Sequence, residues 1–343
     1  MMRRALALAE KGLFTATPNP RVGCVVTRGE QILAEGWHER AGLPHAEVLA
    51  LQGVDATGST VYLNLEPCDH HGRTPPCTEL LIQKRVARVV AAMRDPNPEA
   101  RGGGERLHGA GIGFAHGLLE DEARELNIGF VSRVTRGRPW VRLKLAATLD
   151  GRTALEDGRS RWITGAEARR DGHRWRARAC AVLTGIGTVK ADDPQLTVRE
   201  VATPRQPLRV VIDSRLETPP SAKILQGERA LVFAARDGKL ANADVVVLPN
   251  ARGKVELPQM LEELARRGVN ELHVEAGFRL NGSLAREGCV DEFLVYLNPS
   301  FLGDSAQGML DLAAPAGLDA RLELRVVSLD RVGADLRLRL RPA

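Results

Sequence analysis

The sequence predicts two consecutive α/β domains. Short apolar runs of strand length alternate with helix-length stretches along all 343 residues, the pattern of layered α/β architecture. That length is ample for two domains, each with its own core. The tetrapeptide Arg136-Gly137-Arg138-Pro139 reads as a linker, which sets the boundaries at 1–138 and 139–343.

In the first half, residues 3–11 read as a helix stopped by Gly12. Residues 22–27 and 31–37 are apolar runs split by Gly29-Glu30, a hairpin signal. His45 opens a helix that runs to Leu51. Residues 61–65 form a strand that delivers Glu66-Pro67-Cys68 at its C-terminal end, where ligand sites gather in open α/β sheets. Cys77 begins a helix ending near residue 84, and residues 86–93 are a nearly continuous apolar strand. Asp95-Pro96-Asn97-Pro98 follows on the same rim. Arg101-Gly102-Gly103-Gly104 lacks the Gly-Lys-Ser/Thr ending of a phosphate loop, so a flexible turn into a helix is expected. Residues 120–131 read as one helix.

In the second half, strands are expected over 140–145, 180–184, 208–212, 231–234, 245–248 and 272–274, with two more in the tail at 292–297 and 337–340. Asp150-Gly151 marks a turn. The Arg-rich helix over 167–178 reads mostly as a solvated face. Residues 277–283 follow a strand through a glycine into a helix, the geometry in which free N–H groups and the helix dipole meet a phosphate. Residues 184–188 fit it less well. Neither matches Gly-x-Gly-x-x-Gly, and a plain structural turn explains both equally well.

Composition excludes several classes. Apolar residues make up 43% and charged residues 27%, the balance of a soluble globular chain. Aromatics are only 4%, too few for base-stacking platforms. Lys and Arg exceed Asp and Glu by 17 to 16 up to Arg138 and by 31 to 27 after it. There is no basic tail, and so mild a surplus suits phosphorylated small molecules. Five cysteines in a chain this long make no disulfide framework; Cys24, Cys180 and Cys289 read as small buried residues. No apolar run is long enough to span a bilayer, and the N-terminus lacks a signal-peptide profile. A cytoplasmic protein with no membrane and no nucleic-acid partner is expected.

The chemistry is concentrated between His45 and Cys77. His45-Ala46-Glu47, Pro67-Cys68 and Cys77 offer an imidazole, two thiols and a carboxylate. Zn²⁺ takes imidazole and thiolate ligands, and a catalytic site keeps three protein ligands and one open position. There the metal lowers the pKa of water towards about 7. His45, Cys68 and Cys77 supply three ligands, and Glu47 sits beside them to carry protons. His-x-Glu followed by Pro-Cys and a second Cys is the layout of zinc deaminases, which remove an amino group from a nitrogen heterocycle. Their signature has Cys-x-x-Cys, whereas eight residues separate the thiols here. A structural zinc site would need a fourth ligand, for which Cys24, His38, His70 and His71 are candidates. The Pro18-Asn19-Pro20 turn can hold a carboxamide rigidly against a heterocycle edge, or Asn19 simply caps its own loop.

Taken as a set, these motifs resemble the RibD family, the bifunctional deaminase–reductases of riboflavin biosynthesis. Pro18-Asn19-Pro20-Arg21-Val22-Gly23, Pro44-His45-Ala46-Glu47, Leu65-Glu66-Pro67-Cys68, Gly72-Arg73-Thr74-Pro75-Pro76-Cys77 and Asp95-Pro96-Asn97-Pro98 carry the likeness in the first half. Leu149-Asp150-Gly151-Arg152, Trp162-Ile163-Thr164, Ala191-Asp192-Asp193-Pro194, Ile212-Asp213-Ser214 and Val274-Glu275-Ala276-Gly277 carry it in the second. The long gap between thiols is this family's own spacing.

The resemblance implies a cytidine-deaminase-like layered α/β domain followed by a dihydrofolate-reductase-like α/β domain. It implies deamination of 2,5-diamino-6-(5-phosphoribosylamino)pyrimidin-4(3H)-one and then NADPH-dependent reduction of the ribose to a ribityl chain. Zn²⁺ would sit on His45, Cys68 and Cys77, with Glu47 as proton carrier. Asn19, His38, His70 and Arg73 would hold the pyrimidine and its phosphate. Ala146, Trp162, Thr188, Asp192, Ser214 and the run Gly277, Phe278, Arg279, Leu280, Asn281, Gly282 and Ser283 would line the NADPH site. Ser160, Arg176, Leu196, Arg199 and Glu275 would meet the reductase substrate, with Arg176 and Arg199 suited to its phosphate. A homo-oligomer is expected. No catalytic acid stands out in the second half. A nucleic-acid deaminase would share the His-Ala-Glu chemistry but leave residues 139–343 without a use.

Overall fold

The structure is a computed structural model that describes residues 1–71, 75–160 and 162–343. The chain divides into two compact units, Met1–Arg138 and Pro139–Ala343.

The first unit runs α1 (Met2–Glu10), β1 (Gly23–Arg28), β2 (Gln31–Trp37), α2 (Ala46–Leu51), β3 (Thr60–Leu65), α3 (Cys77–Gln83), β4 (Arg88–Met93), α4 (Gly103–Gly109), β5 (Gly113–Ala115), α5 (Glu120–Leu126) and α6 (Ile128–Arg136). Its sheet has the order β2-β1-β3-β4-β5. β1 is antiparallel to both neighbours, whereas β3, β4 and β5 are parallel. Alternation along β1 sorts the two layers. Cys24 and Val26 pack with α2, α3 and α4 through Ala50, Leu81 and Leu107. Val25 packs on the other face with Ala5 of α1 and Ala123 of α5.

Two glycines let the helices lie directly on this sheet. A Cβ on Gly23 would stand 2.1 Å from the Ala5 carbonyl oxygen of α1. One on Gly36 would stand 2.4 Å from the Ala46 carbonyl oxygen of α2. The hairpin at Gly29-Glu30 forms as the sequence predicts. The expected single helix over 120–131 is instead two, α5 and α6, broken at Asn127. The buried Asn127 amide accepts from the Arg21 N–H at 2.8 Å and donates to its carbonyl at 2.9 Å. Holding that backbone outweighs one more helical turn.

The second unit runs β6 (Trp140–Thr148), β7 (Arg152–Ala154), α7 (Ala166–Arg178), β8 (Ala181–Gly185), α8 (Ile186–Asp192), β9 (Leu208–Ile212), β10 (Ala230–Ala234), β11 (Ala243–Val247), α9 (Leu257–Arg266), β12 (Glu271–Val274), α10 (Phe278–Arg286), β13 (Glu292–Asn298), β14 (Gln307–Gly308), β15 (Leu324–Val332) and β16 (Asp335–Pro342). Nine strands form one sheet in the order β11-β10-β9-β8-β12-β6-β13-β16-β15. It is parallel from β11 to β13, after which β16 and β15 join antiparallel. Helices α9 and α10 cover one face through Met260, Leu261, Leu264 and Leu284. Val189 of α8 and Ala168 of α7 pack on the other. Both α9 and β15 are additions to the elements predicted from sequence.

The middle of this sheet carries charge. Arg142 of β6, completely buried, donates to Glu292 of β13 at 2.6 Å and to Glu271 of β12 at 3.0 Å. Arg178 completes Glu271, while Arg339 and Arg341 complete Glu292. Arg142 also stacks on the Trp175 ring, 4.3 Å from its centroid. The Arg-rich helix α7 is thus less of a solvated face than its composition suggests.

Candidate functional site

Three chain segments converge in the first unit. His45 caps the start of α2, Cys68 follows the end of β3, and Cys77 opens α3 behind Pro76. His45 Nδ1 lies 3.2 Å from Cys77 Sγ and 3.7 Å from Cys68 Sγ. All three candidate ligand atoms fall within 4.8 Å of one another. The Cys77 N–H points at Cys68 Sγ from 3.5 Å. Hydrogen bonding from Cys77 and His45 outweighs burial and brings the Cys68 thiol down to about 4, while the same contact pushes Cys77 up. An imidazole nitrogen and two sulfurs so close together are a donor set for zinc. Among the described residues no fourth ligand joins them, the count of a catalytic rather than a structural site. Cys24 is buried in β1. His71 pairs with Glu79 at 3.7 Å.

Glu47 sits in the first turn of α2, 3% exposed. Burial, then the neighbouring Cys68 charge, raises its carboxyl pKa, so it holds a proton more readily than an ordinary carboxylate. His38 turns its ring edge-on to His45 with centroids 5.5 Å apart. Its Nδ1 lies 3.1 Å from the Pro44 carbonyl and its Nε2 lies 3.0 Å from Asn19 Nδ2. Burial lowers the His38 pKa. A neutral ring donating to Pro44 and accepting from Asn19 Nδ2 satisfies both contacts. His70 is exposed on the loop between the two thiols and makes no hydrogen bond among the described residues. Arg73 lies outside the described residues.

Glu66 and Asp95 were in the motifs without a role. The buried Glu66 carboxylate accepts from the Asp95 N–H at 3.0 Å and the Gly104 N–H at 2.8 Å. Asp95 is pushed up to about 7 by burial, against the Asn97 N–H that stabilises its charge. Of the glycines expected as a flexible turn into a helix, Gly102 makes the turn, with a φ of 104° ahead of α4, while Gly103 and Gly104 are packing residues. A Cβ on Gly103 would stand 1.9 Å from the Pro67 carbonyl oxygen, and one on Gly104 would stand 2.4 Å from the Phe114 ring.

The second unit opens a cleft of about 1850 Å³ over the C-terminal ends of its parallel strands, the usual ligand position in such sheets. Ala146, Trp162, Thr188, Asp192 and Ser214 line it, as do Ser160, Arg176, Leu196, Arg199 and Glu275. So do Gly277, Phe278, Arg279, Leu280, Asn281 and Ser283. Gly282 does not. A Cβ there would stand 2.3 Å from the Asp311 carbonyl oxygen, so this glycine seats α10 on the 311 backbone. The Asn281 side chain is buried and donates to the Ala276 carbonyl at 3.0 Å.

Arg176 grips Glu275 with Nε and Nη2, and its Nη1 donates to the Thr197 carbonyl at 3.0 Å. Burial pushes Glu275 up, but the Arg176 charge prevails and holds it well below the usual carboxylate range. Lys144, which the motifs did not reveal, stands half-buried on β6 at the same end of the cleft. Burial lowers its pKa, against the pull of Glu275. Burial, with Arg176 and Arg199 nearby, drops His173 to about 4. The Tyr296 hydroxyl donates to Asp171 at 2.6 Å. A single lysine or tyrosine in an apolar strand gives no signal until the sheet places it on the cleft.

Comparison with known proteins agrees with both sites. The family model for the cytidine and deoxycytidylate deaminase zinc-binding region matches residues 1–93, and that for the RibD C-terminal domain matches residues 139–338. The riboflavin biosynthesis protein RibD of Escherichia coli (strain K12) is 44% identical, over 99% of this chain and 98% of its own. That of Aquifex aeolicus (strain VF5) is 41% identical, over 98% and 96%. The chain belongs to the RibD family. Among solved structures, Acinetobacter baumannii RibD superposes with a TM-score of 0.93 at 41% identity, covering 100% of this chain and 98% of that one. A deaminase/reductase from Thermotoga maritima superposes with a TM-score of 0.89 at 33% identity, covering 100% and 97%. Family membership makes the chain a bifunctional deaminase and reductase of riboflavin biosynthesis, with a zinc-binding region in its first part. Among the described residues no helix is long and apolar enough to cross a membrane.

Proposed function

We propose that residues 1–138 release the 2-amino group of 2,5-diamino-6-(5-phosphoribosylamino)pyrimidin-4(3H)-one as ammonia. Residues 139–343 then reduce the ribose of the product, 5-amino-6-(5-phosphoribosylamino)uracil, to the ribityl chain with NADPH. The single observation that carries this reading is the meeting of His45, Cys68 and Cys77 beside buried Glu47.

His45, Cys68 and Cys77 would hold zinc, which when bound supplies Lewis-acid activation of water. Deamination breaks one C–N bond, adds the oxygen of water and needs a proton delivered to the departing amine. Glu47 takes and returns that proton at its carboxyl, and its raised pKa suits both directions. Asn19, fixed by His38, reads the pyrimidine edge. The family resemblance gives His70 and Arg73 to the phosphate.

In the second unit NADPH supplies the hydride. The ends of β8, β9 and β12 and the start of α10 offer the surface for it. Glu275 and Lys144 hold the sugar hydroxyls, the first as acceptor and the second as donor. Arg176 fixes the Glu275 carboxylate from behind, and Arg199 faces the phosphate from the exposed lip. A cytoplasmic location and an assembly of identical chains go with this reading through the family resemblance.

The test supplies the diaminopyrimidine phosphoribosyl substrate and NADPH together and follows ammonia and NADPH in one vessel. Ammonia appearing first, with NADPH consumed only afterwards, is the expected result. Ammonia without NADPH oxidation would sink the reading of the second unit. Neither signal from a folded, zinc-loaded sample would sink both.

A further inference from the structure

The reductase cleft has a polarity. Glu275 just after β12 and Lys144 on the adjacent β6 share one end of the cleft; with the sugar held by them as proposed above, the nicotinamide lies there. Ser214 lies just beyond the end of β9, two strands away across β8, roughly 10 Å at the usual strand spacing. The adenosine end therefore extends towards β9, β10 and β11.

At that end the chain builds a braced turn. Ser214 Oγ accepts from the Val255 N–H at 3.2 Å and ties the turn after β11 to the end of β9. Within the turn Asn250 Oδ1 accepts from the Arg252 N–H at 2.9 Å and the Lys254 N–H at 3.0 Å. The Asn250 N–H donates to the Lys254 carbonyl at 2.7 Å. The turn presents two exposed cations, Arg252 and Lys254, both on the cleft. Three neighbouring cations face carboxylates. Lys223 pairs with Asp193 at 3.3 Å, Lys190 with Glu217 at 2.5 Å, and Arg215 faces Glu217 at 3.9 Å. Glu287, at the far end of α10, feels the Arg252 charge but forms no ion pair with it among the described residues.

NADPH differs from NADH by one phosphate on the adenosine ribose, an anion of about −2 charge. A braced turn with two cations that make no ion pair among the described residues suits that group better than flexible surface lysines do, because less ordering is lost on binding. We propose that Arg252 and Lys254, presented by the 250–254 turn, read the 2′-phosphate and set the preference for NADPH over NADH. This rests on the NADPH reading of the cleft, and the test separates the two.

Titration calorimetry of the full chain with 2′,5′-ADP and with 5′-AMP, which differ only by the 2′-phosphate, measures the preference without turnover. The intact protein should bind 2′,5′-ADP about 10- to 100-fold more tightly, the range for charge-assisted contacts. An Arg252→Gln/Lys254→Gln double variant should lose that ratio while its affinity for 5′-AMP stays unchanged. Each single variant should lose part of it, which covers a double variant that fails to fold. Lys223→Gln, with its lysine already claimed by Asp193, should keep the ratio. A double variant that still discriminates would overturn the proposal, as would an intact protein that binds both nucleotides equally. An intact protein that binds neither would instead remove the NADPH reading of the cleft.

Discussion

Arg176 and Glu275 meet across the cleft of the second unit through two parallel contacts, with Nη2 2.8 Å from Oε2. The third face of the guanidinium is spent on the Thr197 carbonyl. The arginine therefore orients a carboxylate, a task that needs a planar fork. Arg176→Lys keeps the charge and loses the fork. NADPH oxidation with the deaminated substrate should fall about 10- to 100-fold, the value of a charge-assisted pair. Ammonia release in the same sample should stay as it was. Equal loss of both activities would mean general unfolding, and loss of neither would free Arg176 of this role.

Glu47→Gln separates proton transfer from metal binding. The amide fills the same space but cannot carry a proton. Ammonia release should fall by about 10²- to 10⁴-fold, with zinc content by elemental analysis unchanged. Cys68→Ser should lose zinc and ammonia release together while NADPH oxidation of the deaminated substrate persists.

Gly103→Ala tests how a residue outside the ligand set places a ligand. The added methyl would meet the Pro67 carbonyl oxygen, and the Pro67–Cys68 turn would have to move. Zinc retention against a chelator should weaken markedly, while the second unit is untouched. A variant that keeps its zinc as tightly as the parent would show that the turn gives way at no cost.

Acid should weaken the second unit through Glu292. Burial opposes its charge, but Arg142 and Arg339 overcome that and hold its pKa well below the ordinary 4.5. With the folded value depressed, this stabilisation is complete above about pH 4.5 and is lost as pH falls through the folded value. Glu292→Gln should lower stability by about 3–5 kcal/mol at neutral pH, because it strands buried arginines. It should also flatten the loss between pH 4.5 and 3 in denaturant titrations. An unaltered acid profile would place the acid sensitivity elsewhere.

Much of this molecule was readable before folding. The mostly apolar runs at 61–65, 208–212 and 272–274 became β3, β9 and β12 because interior strands covered on both faces need mainly apolar sequence. His45, Cys68 and Cys77 were readable because metal chemistry demands particular atoms. The break at Asn127 was not, since it depends on Arg21, 106 positions away. Gly282 looked like its neighbours in a phosphate-facing run, and only the Asp311 backbone reveals its purpose. Arg142 sat in an apolar strand with nothing nearby to announce Glu271 and Glu292. Residue identity exposes local demands, while long-range partners stay hidden until the sheet brings them together.

Gly36 lies on β2, away from the reacting groups, yet α2 rests on it so closely that a side chain there would strike the Ala46 carbonyl. That helix begins at His45 and carries Glu47. A growth screen that scores only a requirement for added riboflavin would thus return Gly36 beside the zinc ligands and label it an active-site residue. Only a metal assay and a melting curve on the purified protein would tell a missing foundation from a missing reagent.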